Sequence, residues 1–455
     1  MAVASMASIA YTQKFSFLPL PPLPDVVVLL LGGASAFILA YLFTFVVIML
    51  CRKMGWLDQP EERRVHTVPV PRLGGVAMFL AFVIASIFFY EPGDLSKTQM
   101  IFGQTYPSEL VSYVLLLIAA TLIVAVHAYD DVKGLKPRTK LLAQTIAVII
   151  VLGPDLMASQ FRGVLLFGFS NPFGVPIKQP SLPWYLEPEI SLFIHKPEIS
   201  WLAIPAVLFT WFWMVGMMNT VNWIDGLDGL ATGIVAITGL FITIISWELN
   251  QHSIAFLAGI FTGATLGFLP HNWNPAKIFM GDSGSQFLGL GLAVLSIMGG
   301  AKVALALMVL GIPILDVAVV IINRVRHKQT PSHYDKSHLH HRLLATGLSV
   351  RQICYMFYGL TLTFGILALG LTRIYKFIGI ALVGVTMVGL IIWIDHRQRQ
   401  RGSQIEPDDK PGPLPTGEAR ETGEPVTHKS SGAAIEPTPP PSDSSDGLLR
   451  APTPQ

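Results

Sequence analysis

Long uncharged apolar runs recur along almost the whole chain to residue 395, and no other feature limits the fold so strongly. A helix needs about 20 apolar residues to cross a hydrocarbon core of roughly 30 Å. The runs predict about eleven such crossings, at 25–51, 73–90, 110–128, 140–157, 200–218, 229–247, 253–269, 284–300, 302–322, 353–372 and 375–394. Composition agrees, with 52% hydrophobic residues against 13% charged and a mean hydropathy of +0.55. The expected fold class is an all-α polytopic membrane protein, with the lipid bilayer as its surroundings and no nucleic-acid partner.

The ends read differently. Residues 1–24 hold the Pro-rich start of "LPLPPLPD" and no Arg, so they lack the basic region of a cleaved signal peptide, and the first helix is expected to be retained. Residues 402–455 turn to Pro, Glu, Ser, Thr and Gly, as in "EPTPPPSDSSDG", and cannot bury enough apolar surface to offset their ordering entropy; a disordered tail is expected. Cys51 and Cys354 lack the paired spacing of a metal or redox motif and read as packing residues.

Basic residues favour cytoplasmic loops. Most of the 31 Lys and Arg fall in the connections after spans 1, 3, 5, 7 and 9 and just after span 11. These connections are therefore expected on the cytoplasmic side of the plasma membrane, with the amino terminus outside and the tail inside. The same five loops carry every conspicuous polar motif: "RRVHTVPVPRLGG" (63–75), "HAYDDVKGLKPRTK" (127–140), "NTVNWIDGLDGLA" (219–231), "HNWNPAKIFMGDSGS" (271–285) and "DKSHLHHRL" (335–343). Unrelated polar loops would scatter over both faces, whereas a site built from all five must lie on one. The outer connection 158–199 is Pro-rich with aromatic and apolar residues and holds no comparable constellation.

Asn219, Asn222, Asp225 and Asp228 recur every third position, so in one regular helix they would spread over half its circumference. Gly226 and Gly229 predict a broken or tightened segment instead, acceptable at membrane depth where it is buried in protein or lines a polar cavity. The bland alternative is Asp225 or Asp228 capping the sixth helix. Asp130 and Asp131 end the third helix, with Lys133, Lys136, Arg138 and Lys140 close behind. Adjacent carboxylates repel and are eased by a divalent cation or several bases, or else by solvent at a helix end. "FMGDSGS" places Asp282 among small residues that let backbone approach a ligand, unless it is only a Gly-rich turn capped by Asp282 and Ser283.

Hard oxygen donors without Cys or "HExxH" favour Mg²⁺ or Mn²⁺ over zinc, and Mg²⁺ beside basic loops points to a phosphorylated substrate. His338, His340 and His341, with Asp335 and Arg342 beside them, fit phosphate donors better than a zinc site. For Arg63, Arg64, His66 and Arg72, positive-inside bias alone is an equal explanation.

Taken in order, "DDVKGL", "NTVNWIDGLDGLA", "FMGDSGS" and "HLHHRL" over residues 25–395 resemble the bacterial polyprenyl-phosphate N-acetylhexosamine-1-phosphate transferases of glycosyltransferase family 4, a group that includes phospho-MurNAc-pentapeptide translocase. The "H-x-H-H" pattern, interrupted by Leu339, resembles the branch that moves GlcNAc-1-phosphate from UDP-GlcNAc to undecaprenyl phosphate; the pentapeptide branch typically has three consecutive histidines. The resemblance implies Mg²⁺ held by Asp282 and Asn222, and the lipid phosphate activated or oriented by Asp130 or Asp131. It implies nucleotide contacts from Asp228, Asn219 and Phe279, supported by Asp225, with Lys133 adding charge at the diphosphate. His338, His340, His341 and Arg342 would hold phosphate or sugar. Expected partners are a UDP-sugar and a polyprenyl phosphate, with a homodimer as a candidate assembly. The rivals are another UDP-sugar donor such as UDP-MurNAc-pentapeptide, a polytopic transporter, which should carry midplane polar groups and repeat-related broken helices, and a membrane scaffold that binds partners through its tail.

Overall fold

The computed structural model describes residues 24–59, 69–91, 98–101, 104–157, 203–298, 302–326, 338–371 and 375–405. Arg63, Arg64, His66 and Asp335, the connection 158–199 and the tail beyond 405 lie outside the described residues. A first compact unit ends at Gln404, and nearly all of the second, Ile405–Gln455, is outside them too.

Helices fall where the apolar runs predict: α1 (Asp25–Met54), α2 (Gly74–Phe89), α3 (Ser108–Lys133), α4 (Pro137–Met157), α5 (Ala203–Ile224), α6 (Leu230–Glu248), α7 (His252–Asn272) and α8 (Gly281–Ile297). There follow α9 (Lys302–Val309), α10 (Gly311–Arg326), the short α11 (Leu339–Ala345), α12 (Val350–Gly370) and α13 (Tyr375–Ile405). Six described segments are long and apolar enough to cross a membrane: Asp25–Met54, Glu109–Lys133, Leu230–Glu248, His252–Asn272, Val350–Gly370 and Ile378–Gln398. Gly74–Phe89 and Gly311–Ile322 are shorter apolar helices.

Two expectations need correction. The single helix expected over 302–322 is two, α9 and α10, parted at Leu310. Pro313 explains the break, because it has no N–H for the carbonyl of Val309 and its ring crowds that turn. The chain is also not purely helical. Leu57–Asp58 (β1) pairs antiparallel with Val70–Pro71 (β2), and Thr98–Ile101 (β3) with Gln104–Pro107 (β4).

The β1–β2 ribbon is small but positions the site. Beyond β2 the strand-like pairing continues onto the segment before α8: Phe279 N–H donates to Pro71 O at 2.8 Å, Gly74 N–H to Phe279 O at 3.0 Å and Gly75 N–H to Met280 O at 2.9 Å. The "VPVPRLGG" and "FMGDSGS" motifs are thus zipped together through backbone.

At the centre stands α8, packed against α2, α3, α5, α6, α7 and α9, with every residue except Asp282 buried. A helix surrounded by others must be apolar on all sides, and its Gly, Ser and Ala residues let neighbours come close. The same device joins α1 to α7: a Cβ on Gly263 would lie 2.1 Å from Gly33 O. Cys51 and Cys354 are free and buried, as packing residues should be.

Candidate active site

Carboxylate oxygens of Asp130 and Asp131, at the end of α3, and of Asp282, in the first turn of α8, lie within 4.8 Å of one another. Three like charges this close need neutralisation. Lys140 Nζ sits 2.6 Å from Asp130 Oδ2 and 2.6 Å from Asp282 Oδ2. Arg72 reaches Asp131 Oδ1 at 3.5 Å, Asp282 Oδ1 at 3.8 Å and Asp58 Oδ1 at 3.5 Å. The ammonium that enters the cluster is therefore that of Lys140, while Lys133 is exposed at the end of α3. Asp130 is buried, so the pair is not a solvated helix end. Burial, and then the charge of Asp282, push the Asp225 carboxyl well above its ordinary range.

Adjacent in sequence, the two α3 aspartates do different work. Asp131 is fully enclosed and accepts from Asp282 N–H (2.8 Å), Ser283 N–H (3.0 Å) and Ser283 Oγ–H (2.8 Å). It caps α8 from another helix, so the bland alternative of a turn capped by Asp282 and Ser283 does not hold. A carboxylate at a helix N-terminus satisfies orphan N–H groups and complements the helix dipole. Gly281 makes this turn, with φ +70°; a Cβ there would lie 2.2 Å from Arg72 O and 2.5 Å from Asp131 Oδ2. Asp130 instead accepts from Leu135 N–H at 2.5 Å and pairs with Lys140.

The "NTVNWIDGLDGLA" stretch is helical longer than expected. Asn219 and Asn222 ride on the last turns of α5, three residues apart on one face, and the break falls at 225–229. Asn222 Nδ2 donates to Asp282 Oδ1 at 3.1 Å and Ser285 Oγ at 2.9 Å. Asn219 belongs to an amide network below the cluster: its Nδ2 donates to Val215 O (2.8 Å) and Gln144 Oε1 (3.2 Å), and Gln144 Nε2 donates to Gln286 Oε1 (2.8 Å). Neither Asp225 nor Asp228 caps α6; Asn272 Oδ1 accepts from Gly229 N–H (3.2 Å) and Thr232 Oγ1–H (2.7 Å). Asp228 Oδ2 holds the following loop, accepting from Asn274 Nδ2 (2.9 Å) and Ala276 N–H (3.1 Å). Phe279 is half-buried beside this loop, fixed through its backbone.

The histidine motif packs against the same break. His340 is buried, and its Nε2 lies 2.3 Å from where a Cβ on Gly226 would stand. Burial, then His341 and His338, hold its ring well below the ordinary titration range, so it packs as neutral imidazole. His338 lies with its ring centroid 6.1 Å from Trp223 and 5.8 Å from His340, and His341 is 4.3 Å from His340. Arg342 pairs with Asp395 of α13 at 2.5 Å rather than with the carboxylates. Reading the sequence alone missed Asp316, whose carboxylate accepts from Leu339 N–H at 2.9 Å and meets His338 Nδ1 at 3.0 Å. A lone Asp inside "GIPILDVAVVI" was the available signal.

The structure thus brings residues of all five motif-bearing connections to one end of the helices. Three carboxylates, an amide beside Asp282 and no thiolate form a hard-donor set that fits Mg²⁺ or Mn²⁺.

Comparisons with known proteins identify the family. The family model for glycosyl transferase family 4 matches residues 113–300. A probable undecaprenyl-phosphate N-acetylglucosaminyl 1-phosphate transferase of Bacillus subtilis is 32% identical over 344 residues, 73% of this chain and 83% of that protein. A decaprenyl-phosphate N-acetylglucosaminephosphotransferase of Mycobacterium tuberculosis is 32% identical over 367 residues, 75% and 81% of the two chains. A phospho-N-acetylmuramoyl-pentapeptide-transferase of Staphylococcus haemolyticus is 29% identical over 347 residues, 73% and 97%. With matches of this extent and with its apolar helices, the chain is an integral membrane protein that belongs to the glycosyl transferase 4 family, among the polyprenyl-phosphate N-acetylhexosamine-1-phosphate transferases.

Proposed function

We propose that this chain transfers N-acetylglucosamine-1-phosphate from UDP-GlcNAc to undecaprenyl phosphate, releasing UMP and starting a lipid-linked envelope glycan. The observation that carries the reading is the convergence of four polar connections on one carboxylate cluster, with the histidine motif packed on the break beside it, in a chain whose GlcNAc-phosphotransferase relatives match most of their length. About eleven crossings, with the amino terminus outside and the cluster at the cytoplasmic face, fit the distribution of basic residues. Such a boundary is where a charged cytosolic nucleotide and a lipid-borne phosphate can meet.

A lipid phosphate oxygen attacks the sugar-linked phosphorus, the bond from that phosphorus to the UMP oxygen breaks, and one phosphoanhydride replaces another. Catalysis is then chiefly positioning and charge neutralisation. Asp282 and Asn222 would hold Mg²⁺ or Mn²⁺, which when bound would supply Lewis-acid polarisation of the diphosphate. Lys140 and Arg72 carry the charge available to phosphate oxygens around Asp282. Asp130 is the aspartate left to orient the lipid phosphate, since all three of Asp131's close hydrogen bonds serve the α8 turn. Asp225, Asp228 and the Phe279 ring border the place for the nucleotide, and His338 the place for phosphate or sugar.

Purified protein in lipid nanodiscs, given undecaprenyl phosphate and Mg²⁺, should form a lipid diphosphate-GlcNAc from UDP-GlcNAc, detectable by mass spectrometry. Product only from UDP-MurNAc-pentapeptide would move the chain to that branch. No product from either donor would overturn the reading.

A further inference from the structure

Asp316 stands in the apolar α10 run, only 5% exposed, where a carboxylate is costly unless paired. Both of its oxygens are used, and on different groups. Oδ1 accepts from Leu339 N–H at 2.9 Å, at the start of α11. Oδ2 lies 3.0 Å from Nδ1 of His338, which is itself only 7% exposed. A cap alone would need one oxygen. The second oxygen makes Nδ1 the hydrogen-bearing nitrogen, and so leaves Nε2 as the one free to face a ligand. The ring is placed for that: it neighbours Trp223, next in sequence to Asn222, and lies nearly parallel to His340, which fills the break at Gly226.

We propose that Asp316 is the positioning residue for His338, holding the ring through Nδ1–H so that, in the imidazolium form taken with substrate bound, Nε2–H donates to an anionic phosphate oxygen. The imidazolium then bridges two anions, donating from Nδ1 to the Asp316 carboxylate and from Nε2 to phosphate, and a ring left neutral loses that charge assistance. This rests on the phosphotransferase reading above for the identity of the ligand, but the ring geometry does not.

Asp316→Asn separates the two uses of the carboxylate. The amide oxygen can still accept from Leu339 N–H, while the amide NH₂ can only donate to Nδ1, which moves the ring proton to Nε2. The first arm is ¹⁵N NMR of histidine-labelled protein, with the His338 signal assigned by its loss in His338→Gln. The expected result is a proton on Nδ1 in wild type and an Nε2–H tautomer in Asp316→Asn; a wild-type ring protonated only on Nε2 would overturn the proposal. The second arm is a double-mutant cycle on UMP release. Asp316→Asn and His338→Gln should each lower kcat at least about tenfold, as expected for loss of a charge-assisted hydrogen bond, and the double variant should be no slower than the slower single. Additive losses, or an unchanged kcat in Asp316→Asn, would overturn it. A wild type that releases no UMP would remove the proposed function and leave the NMR arm to decide the positioning.

Discussion

Asp130 and Asp131 are neighbours in sequence with separate consequences. Asp131 closes the N-terminus of α8 through three hydrogen bonds, so Asp131→Ala should cost about 1 to 2 kcal/mol, the usual scale for a lost cap, visible as a lower melting temperature together with lost turnover. Asp130→Asn should leave melting near wild type while turnover falls about 10²-fold or more, the scale for removing one preorganised electrostatic group. Equal melting losses in both would contradict this division. Lys140 lies 2.6 Å from both Asp130 and Asp282, so its ammonium competes with any cation for those oxygens. Lys140→Met should therefore bind Mn²⁺ more tightly without substrate, read by electron paramagnetic resonance, yet turn over more slowly; weaker Mn²⁺ binding would contradict the competition. The sequence displayed Asp130, Asp131 and Asp282 plainly, because adjacent or Gly-flanked carboxylates at the edge of apolar runs stand out. It did not display which partner each one takes: Asp131 and Ser283 are 152 positions apart, and Lys140 differs from Lys133 only in the turn of chain that carries it.

Among elements, α8 and the turn before it carry most of the site. Its start at Gly281, rather than the expected 284, follows from the cap supplied by α3. Gly281→Ala forces a Cβ against Arg72 O at a left-handed φ; the expected outcome is lost turnover and lost Mn²⁺ binding, with the remaining helices intact by circular dichroism. Retained activity would show that the turn can shift without harm. Helix positions were legible because length and hydropathy alone define them. The α9–α10 break was signalled by Pro313 but hidden inside a continuous apolar run, and the β1–β2 ribbon was too short to show a periodic pattern. Gly226 and Gly229 did mark the break after α5, although the turns of helix that carry Asn219 and Asn222 continue to Ile224.

Over the whole molecule, the one-sided placement of polar motifs was the feature that reached from sequence to function. Connections far apart in the chain meet at the carboxylates, and His340 packs on Gly226 in the neighbouring break. The proposed orientation makes its own prediction: single cysteines placed at residues 136 and 328 should be protected from a membrane-impermeant thiol reagent in intact cells, whereas one at residue 252 should react. Reversed labelling would put the cluster on the wrong side for a cytosolic nucleotide. As proposed above, this cluster is a cation-dependent phosphoryl-transfer centre for a UDP-sugar. The most direct measurement is UMP release from UDP-GlcNAc and undecaprenyl phosphate as Mg²⁺ is titrated, for wild type and Asp282→Asn. Release should saturate with Mg²⁺, stop on chelation and fall about 10²- to 10³-fold in the variant; release indifferent to chelation, or undiminished in Asp282→Asn, would rule out a cation-dependent centre at Asp282.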